Sequence, residues 1–403
     1  MKKYDAIVIG AGHNGLTNAA YLAKSGLKVL VVEKNDYIGG ASVSRELHEG
    51  WTYSNCSYVC SLLRPEIFRD LNLQKYGLQV LPYGGSVTFM QNGDIFGGYS
   101  DDDLARREIG RFSKRDADAY VRFARDVSRQ CRFIKPMLLR TPPDPTSFKP
   151  KDLGELIYLF KRLYSLGEQT IYDTIRFYTM SVAEYLDEYF ESDVIKAALS
   201  GSGIIGTGLG PYSPGTAYVL LHHYMGEVDG SIGSWGFARG GMGSIAKALA
   251  DAFRDHDGEL LTDAEVSQII VKGGRAKGVV LVNGDEHYAK NIVSNLDVKR
   301  TYQKLFDPKD LSEKVLKQVD AFKIRGSSGK LNIALDGIPE FPALGKNNPL
   351  ICSDMHFIDS TERIERAYDD WKNGRWSRDP YTDVLIPTMT DPTMSPPGKH
   401  YMS

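Results

Sequence analysis

Three glycines near the start of the chain have the spacing of a phosphate-binding turn. Gly10, Gly12 and Gly15 form the pattern G-x-G-x-x-G, with Ala11 and Asn14 among the residues between them. The first glycine of such a turn permits a tight bend, the second lets the backbone approach a pyrophosphate, and the third lets a helix pack close to a strand. Backbone N–H groups and the positive end of the helix then hold the phosphates. We therefore expect these five residues to contact a dinucleotide.

A carboxylate follows this turn at a distance suited to ribose recognition. Glu33 lies 18 residues after Gly15, where its side chain can accept hydrogen bonds from ribose hydroxyl groups. Charge-assisted hydrogen bonds of this kind contribute about 1.5–3 kcal/mol each. The same negative charge would repel a 2′-phosphate, so the sequence disfavours NADP as the ligand.

The elements that must position these residues form a βαβ unit. Residues 4–10 are a short apolar run, which is typical of a parallel strand buried on both faces. Apolar residues then recur at helical spacing until Ser25-Gly26, and a second apolar strand at 28–32 leads into Glu33. This arrangement predicts dinucleotide binding, and the turn alone leaves FAD and NAD open.

A glycine doublet distinguishes between FAD and NAD. Gly39 and Gly40 stand just after Glu33, and paired glycines permit a second close approach of the backbone to a phosphate-bearing ligand. Here the sequence resembles the FAD-dependent oxidoreductases of the phytoene desaturase and flavin amine oxidase group, in which the doublet borders the diphosphate. The resemblance implies FAD as cofactor, and the binding residues that it adds are Lys34, Gly39, Gly40, Ala41 and Ser42. Many members have arginine directly after the doublet, where this chain has Ala41 and its nearest arginine is Arg45.

A later segment matches the second part of the same FAD domain. Residues 239–244 are glycine-rich and precede a predicted helix at 245–253. Strands are predicted at 259–261, 266–271, 276–282 and 290–295, with a hairpin turn at Asn283-Gly284. In the resembled desaturases, the residue that matches Val266 places its backbone against the adenine. The resemblance spans nearly the whole chain, is strongest at 4–60 and 211–300, and is closest to the subgroup called pyridine nucleotide-disulfide oxidoreductase domain-containing protein 2.

A second G-x-G-x-x-G pattern, at residues 201–206, is predicted to bind no nucleotide. The residues before it, 193–199, indicate the end of a helix rather than a buried strand. Those after it, 207–215, contain glycine and proline throughout and cannot open a helix. We therefore expect a loop there, and a dedicated NAD(P)H domain is not supported.

The middle of the chain is helical and rich in aromatic residues. Residues 100–190 include a stripe at helical spacing, made of Leu153, Leu156, Ile157, Phe160, Leu163 and Tyr164. A helical cap packed on a sheet core is the favoured interpretation, and a tunnel for an apolar substrate is the alternative. Residues 133–140 are apolar with basic flanks, which would suit contact with a membrane surface, although buried core is the favoured interpretation. Residues 141–145 are expected to form a loop.

Few side chains are candidates for catalysis. Flavin chemistry needs the protein mainly to position the substrate and to supply one base at most. The polar candidates are His222, His223 and Arg239, and for each histidine a structural role is favoured. No metal site is expected, since H-x-x-x-H and C-x-x-C spacings are absent from the sequence. Cys56 and Cys60 form C-x-x-x-C, which is not the redox pair of disulfide reductases.

Composition limits the classes of partner. Lys and Arg number 49 against 51 Asp and Glu, which makes nucleic acid a poor partner because phosphate neutralisation needs a basic excess. Four cysteines fit a reducing compartment. No apolar run approaches the ~18 residues of a membrane-spanning helix, and no targeting segment is recognised, so we expect a cytoplasmic protein, or an organelle-matrix one among eukaryotic relatives.

These observations predict an α/β fold. It has a Rossmann-like FAD-binding domain of the glutathione reductase-like two-domain kind, with an inserted α+β substrate domain. The FAD domain is expected at 1–75 and 231–300, and the substrate domain at 76–230 and 301–403. The resembled flavoproteins return to the FAD domain with a glycine-rich stretch and a final helix. That C-terminal return is expected to be missing here, so the flavin-ring half of the site would lack support and the chain would tend to associate with further copies.

The predicted function is an FAD-dependent oxidoreductase that transfers hydride from an apolar, polyene- or lipid-like substrate to flavin. A flavin amine oxidase is one alternative, because it shares the cofactor pattern. A flavin-holding regulatory protein without turnover is another. Expected partners are the small apolar substrate, a peripheral membrane contact and a homo-oligomer.

Overall fold

The computed structural model describes residues 3–165, 167–345 and 348–403. Within them the chain divides into two compact units. The first contains Met1–Pro82, Gly236–Ile338 and Ile386–Ser403, and the second contains Tyr83–Trp235 and Pro339–Leu385. Both units are discontinuous in sequence, as predicted.

Strands and helices of the first unit are numbered here in chain order over the whole molecule. Its strands are β1 (Lys3–Ile9), β2 (Val29–Val32), β3 (Ser44–His48), β4 (Trp51–Ser54), β5 (Val80–Tyr83), β10 (Trp235–Ala238), β11 (Glu259–Leu261), β12 (Val266–Lys272), β13 (Arg275–Leu281), β14 (Glu286–Ser294), β15 (Ile333–Leu335) and β18 (His400–Met402). Its α-helices are α1 (His13–Lys24), α2 (Pro65–Asp70), α10 (Gly243–Asp255) and α11 (Glu313–Ala321).

A six-stranded sheet forms the centre of the first unit. Its order is β11-β2-β1-β14-β13-β12. The four strands β11, β2, β1 and β14 are parallel, whereas β13 and β12 continue the sheet antiparallel through two hairpins. Each predicted strand of this region is confirmed to within four residues at its ends. The order could not be read from the sequence, because β14 is inserted next to β1 from almost 300 residues away.

Both faces of β1 are buried, as its apolar run predicts. Ala6 and Val8 pack in one cluster with the buried faces of α1 and α10. Ile7 and Ile9 pack on the opposite face with buried residues of β12 and β13. Alternate residues of a strand point to opposite faces, so a strand covered on both sides has to be apolar throughout.

The second unit contains most of the helices. They are α3 (Asp102–Phe112), α4 (Lys114–Ile134), α5 (Pro150–Tyr164), α6 (Gly167–Thr179), α7 (Val182–Asp187), α8 (Asp193–Ile204), α9 (Thr216–Tyr224) and α12 (Thr361–Lys372). Its strands are β6 (Ser86–Phe89), β7 (Ile95–Gly98), β8 (Glu227–Val228), β9 (Ser231–Ile232), β16 (Asp354–His356) and β17 (Asp383–Val384). A four-stranded sheet of order β17-β16-β6-β7 stands beside a helical core that contains Phe123, Phe177, Tyr185 and Phe190.

The structure differs from the predicted division of the chain beyond residue 300. Residues 301–338 and 386–403 lie in the first unit, where the sequence places the substrate domain. Long-range contacts are the reason: β18 pairs with β15, the buried Tyr401 ring packs edge-on against Tyr53, and Asp391 accepts a hydrogen bond from the Gly240 N–H at 2.6 Å.

Two further expectations are corrected. Residues 201–204 are the last turn of α8 rather than part of a loop, and the irregular segment begins only at residue 205. Most of the stripe on α5 is not packed on a core, since Leu153, Ile157, Phe160 and Tyr164 are 41% to 79% exposed. Leu163 is partly buried and packs against the helical core. Residues 141–145 are a loop, as predicted. Among the described residues, no helix combines the length and apolarity needed to cross a membrane.

Candidate cofactor site

The first glycine turn connects β1 to α1 and needs its glycines for different reasons. Gly10 has φ +96°, a region that side-chain-bearing residues rarely adopt. Gly12 is the N-cap of α1, and no side chain among the described residues caps this helix. A Cβ on Gly15 would lie 2.2 Å from the Gly10 carbonyl oxygen, so only glycine lets the helix approach the turn this closely. The N–H groups that begin an α-helix have no partner within it, which leaves the turn suited to an anion.

Glu33 lies beside this turn at the end of β2. Its buried carboxylate accepts a hydrogen bond from the Ala11 N–H at 2.8 Å through Oε2. Through Oε1 it accepts two more, from the backbone N–H and the side-chain amide of Asn35 at 3.1 and 2.9 Å. A carboxylate has about four acceptor positions. The side chain is thereby fixed in orientation and keeps acceptor capacity for a ribose hydroxyl.

The glycine doublet backs directly onto the first turn. The Gly39 N–H donates to the Ala11 carbonyl at 2.9 Å. A Cβ on Gly40 would lie only 3.0 Å from the Gly12 Cα, and Gly39 and Gly40 have φ values of +121° and +56°. Two glycine backbones therefore face each other at close range, which leaves room beside them that a side chain would fill.

The residues around the doublet have distinct positions. Ser42 is buried and its hydroxyl donates to the Gly39 carbonyl at 2.9 Å, which fixes the bend. Lys34 and Ala41 are exposed, as is Asn14 on the first turn of α1. The Arg45 guanidinium lies over the Tyr37 ring, 4.4 Å from its centroid. This cation–π contact keeps the positive charge of Arg45 beside Tyr37.

The start of β12 lies next to Glu33. The Ala264 N–H donates to the Glu33 carbonyl at 2.8 Å, and the Glu33 N–H donates to the Leu261 carbonyl at 2.9 Å. Val266 follows two residues after Ala264 and is buried. The fold thus brings the residue expected at the adenine beside the carboxylate expected at the ribose, although they are 233 residues apart in sequence.

Sequence reasoning missed Asn295. This residue follows β14, and its N–H donates to the Ile9 carbonyl at 2.9 Å. Its side-chain amide covers the glycine turn, because a Cβ on Gly12 would lie 2.9 Å from Asn295 Nδ2. The position becomes visible only once β14 is known to pair with β1. Its amide is a further polar group at the phosphate end of the site.

The second glycine-rich turn, before α10, is occupied by the protein itself. Asp391 accepts from the Gly240 N–H, Ser54 Oγ accepts from the Met242 N–H at 3.0 Å, and Ser44 Oγ accepts from the Gly243 N–H at 2.9 Å. Arg239 is exposed and donates to the Gln79 side chain at 3.1 Å. This turn holds the first unit together.

The remaining catalytic candidates lie in the second unit. His223 Nδ1 is 2.9 Å from the Val219 carbonyl, one turn earlier in α9, and its ring stacks on Trp235. Burial lowers the pKa of both His222 and His223. These contacts are those of a packed histidine, and a catalytic role for either residue or for Arg239 stays a prediction.

The second G-x-G-x-x-G pattern begins within a helix rather than after a strand. Gly201 and Gly203 are helical residues of α8, and a Cβ on Gly203 would lie 2.8 Å from the Val182 side chain. Cys56 and Cys60 are both free, and burial raises the pKa of the Cys60 thiol to about 11. A buried thiol with a raised pKa is a poor nucleophile, so Cys60 is poorly suited to thiol–disulfide exchange.

The residues of the first turn and the doublet fit FAD. The two close backbone segments and the uncapped helix start suit the diphosphate. The buried Glu33 carboxylate suits the ribose, and the adjacent start of β12 suits the adenine. The individual FAD contacts of these residues stay predictions.

Comparison with known proteins supports the cofactor assignment. The family model described as flavin containing amine oxidoreductase matches residues 15–401. Pyridine nucleotide-disulfide oxidoreductase domain-containing protein 2 of Mus musculus is 34% identical over all of this chain and 73% of its own length. The chloroplastic prolycopene isomerase of Daucus carota is 29% identical over all of this chain and 61% of its own length. These similarities confirm the predicted resemblance.

Solved structures confirm the fold. An oxidoreductase from Methanosarcina mazei matches all of this chain and 78% of its own, with a TM-score of 0.60 and 17% identity. At that identity the likeness concerns the fold alone.

Proposed function

This chain belongs to the family of flavin containing amine oxidoreductases, and from that premise we propose that it oxidises an apolar, polyene- or lipid-like substrate. The chain is an FAD-dependent oxidoreductase of that family. The observation that carries the oxidoreductase part of this proposal is the cradle in which the Gly40 backbone meets Gly12 beside the buried Glu33 carboxylate. When bound there, FAD supplies the hydride acceptor.

The residues of this chain position the cofactor and hold charge. The start of α1 and the facing glycine backbones bind the diphosphate, because N–H groups and the helix dipole favour an anion there. Glu33 accepts from the ribose in an orientation fixed by Ala11 and Asn35. Val266, held beside Glu33 through Ala264, presents its backbone to the adenine. A rigid adenosine half leaves the reactive ring as the group to be aligned with substrate.

An apolar substrate is supported by the character of the second unit and by a relative's name. The helical core there is rich in aromatic side chains that contact one another, among them Phe123, Tyr185, Tyr189 and Phe190. The similar protein of Daucus carota is called a prolycopene isomerase. Such an oxidation removes a hydride, which bound FAD would accept, and a proton, which water or one basic side chain would accept, so it places few demands on side chains.

Amine oxidation is the second candidate, and the description of the family model favours it. Reduction of the bound flavin by each class of substrate distinguishes amine oxidation from oxidation of an apolar substrate. The purified protein is reconstituted with FAD and mixed anaerobically with a polyene or with an amine, and the visible flavin bands are followed. Bleaching by the polyene alone supports our proposal. Bleaching by the amine, with peroxide released when air is admitted, replaces it with amine oxidation.

A regulatory protein without turnover is the remaining alternative. It would hold FAD stoichiometrically, no substrate class would bleach the flavin, and a protein partner would co-purify with it. Failure of a folded, FAD-supplemented sample to show flavin bands would contradict the cofactor assignment itself.

We also propose a peripheral contact with an anionic membrane, made by the second unit. The exposed apolar stripe of α5 lies near a cleft of about 760 Å³ on α3, α4 and α5. Five arginines line that cleft: Arg106, Arg125, Arg129, Arg132 and Arg162. An amphipathic helix with basic neighbours is suited to the interface of a membrane with negatively charged lipids.

Sedimentation with lipid vesicles tests this contact. Binding to phosphatidylglycerol vesicles should exceed binding to phosphatidylcholine vesicles and should weaken with salt. Phe160→Ser should reduce it, whereas Tyr172→Ser, which removes an exposed aromatic ring from α6, serves as the matched control. Equal binding to both lipids would contradict the contact with an anionic membrane. Salt-insensitive self-association in gel filtration that Phe160→Ser abolishes would assign the stripe to a second copy of the chain instead.

A further inference from the structure

Two short strands of the second unit bring three metal-ligating side chains together. Asp354 and His356 are two residues apart on β16, so they point to the same face of the sheet. β17 pairs antiparallel with β16, and Asp383 stands directly opposite His356. Directly opposed residues share a face. The pairing therefore collects two carboxylates and an imidazole from positions up to 29 residues apart.

The three groups are close enough to share one ion. One ligand atom from each lies within 4.8 Å of the ligand atoms of the other two. His356 Nε2 is 3.3 Å from Asp354 Oδ2, which points this edge of the ring into the cluster. The His356 side chain is only 9% exposed, and that of Asp354 is 20% exposed. His356 Nδ1 and Asp354 Oδ1 are buried and have no hydrogen-bond partner among the described residues.

The cluster places two carboxylates beside one imidazole. Burying like charges together is costly unless they are compensated, and a bound cation would compensate them.

We propose that Asp354, His356 and Asp383 bind a divalent transition-metal ion. Imidazole nitrogen together with carboxylate oxygen is a donor set of Zn²⁺ and Mn²⁺ sites, whereas Mg²⁺ and Ca²⁺ prefer oxygen alone. Three protein ligands leave a further position on the ion for water. Local ligand spacing in the sequence predicts no metal site, because strand pairing assembles this set from separate segments.

The ion would fasten the edge of the four-stranded sheet. β16 has three residues and β17 has two, so backbone hydrogen bonds alone secure the pair weakly. A metal that joins Asp383 to His356 would tie the edge strand to its neighbour. This role is independent of FAD and does not rest on the proposed oxidoreductase function.

Direct metal binding to the full chain tests the proposal. The purified protein is stripped with a chelator and titrated calorimetrically with Zn²⁺ and, separately, with Mg²⁺. We expect one Zn²⁺ per chain, a higher melting temperature in its presence, and much weaker binding of Mg²⁺. Loss of one ligand, in Asp383→Asn or His356→Gln, should weaken Zn²⁺ binding by about 100-fold or more, since loss of an outer-shell partner alone typically costs 10–100-fold.

Matched variants keep the test specific. Asp187→Asn and His222→Gln remove the same side-chain types from other places in the second unit and should leave Zn²⁺ binding unchanged. Unchanged binding in both cluster variants, or no stoichiometric binding by the wild-type chain, overturns the proposal. If the cluster variants fail to fold, Co²⁺ substitution of the wild type decides: a spectrum of nitrogen and oxygen ligands supports the site, and a thiolate charge-transfer band overturns it.

Discussion

The chain contains the pattern G-x-G-x-x-G twice, and the two copies have different structures. At Gly10–Gly15 the pattern connects a buried strand to a helix and meets a second glycine pair and a buried carboxylate. At Gly201–Gly206 it begins inside α8 and ends in an irregular segment. In the first copy glycine is required by backbone close to backbone. In the second, Gly203 only leaves space for the Val182 side chain.

This difference shows that glycine spacing is informative only together with the element that precedes it. A strand that ends at a sheet edge directs its last N–H groups and the following helix start toward one point. A helix that continues through the pattern uses those N–H groups in its own hydrogen bonds. Substituting alanine at matched positions of the two copies measures this directly.

The largest effect is expected for Gly15→Ala. Its new Cβ would lie 2.2 Å from the Gly10 carbonyl oxygen, a backbone atom that cannot move without opening the turn. We expect a loss of stability of about 3 kcal/mol and no retention of FAD, measured by denaturant unfolding and by the flavin absorbance of the purified protein. Retention of FAD at wild-type stoichiometry would contradict the assignment of the turn.

Glu33→Ala should weaken FAD binding next most strongly. The carboxylate is the ribose acceptor, and its loss should reduce affinity by about 1.5–3 kcal/mol, the size of a charge-assisted hydrogen bond. Isothermal titration of the apoprotein with FAD gives the value. Glu265→Ala removes an exposed carboxylate near β12 and is the control. Equal affinities of the two variants would remove Glu33 from the site.

Gly203→Ala should lower stability but leave FAD affinity intact. The added methyl group meets the Val182 side chain at 2.8 Å, and overpacking of this kind costs about 1–3 kcal/mol. The helical position offsets part of that cost, because alanine favours a helix over glycine by about 1 kcal/mol. Thermal unfolding and FAD titration are measured on the same sample. Loss of FAD binding without a change in melting temperature would mean that the second copy binds the nucleotide after all.

The smallest effects come from glycines with open space around them. Gly206 has φ +76° and no atom within 4 Å of an added Cβ, so Gly206→Ala should cost only backbone strain, about 1 kcal/mol. Gly154, exposed within α5, also has open space but helical geometry, and Gly154→Ala should stabilise by about 0.4–1 kcal/mol. Chemical denaturation gives the change in the free energy of unfolding for each variant. Changes of opposite sign would show that the backbone conformation of a glycine determines the effect of its substitution, and changes of equal sign would contradict this.

Local features were predictable because short-range rules fix them. The apolar run of β1, the helical spacing of α1 and the distance to Glu33 predicted the strand, the helix and the carboxylate at its end. Strands buried on both faces are apolar, and a glycine turn before a helix lets an anion approach the helix N-terminus closely. These constraints act within about 30 residues, so they can be read along the chain.

The sequence by itself therefore determined the βαβ unit, the glycine doublet and the cofactor class. Only the tertiary structure decided that Asn295 covers the turn, that Tyr401 packs on Tyr53, and that Asp354, His356 and Asp383 share one place. It also decided that most of the stripe of α5 is exposed, although its spacing is that of a packed helix. Periodicity shows which residues share a face, but which face is covered depends on strand order and on packing between distant segments, and no local rule specifies either.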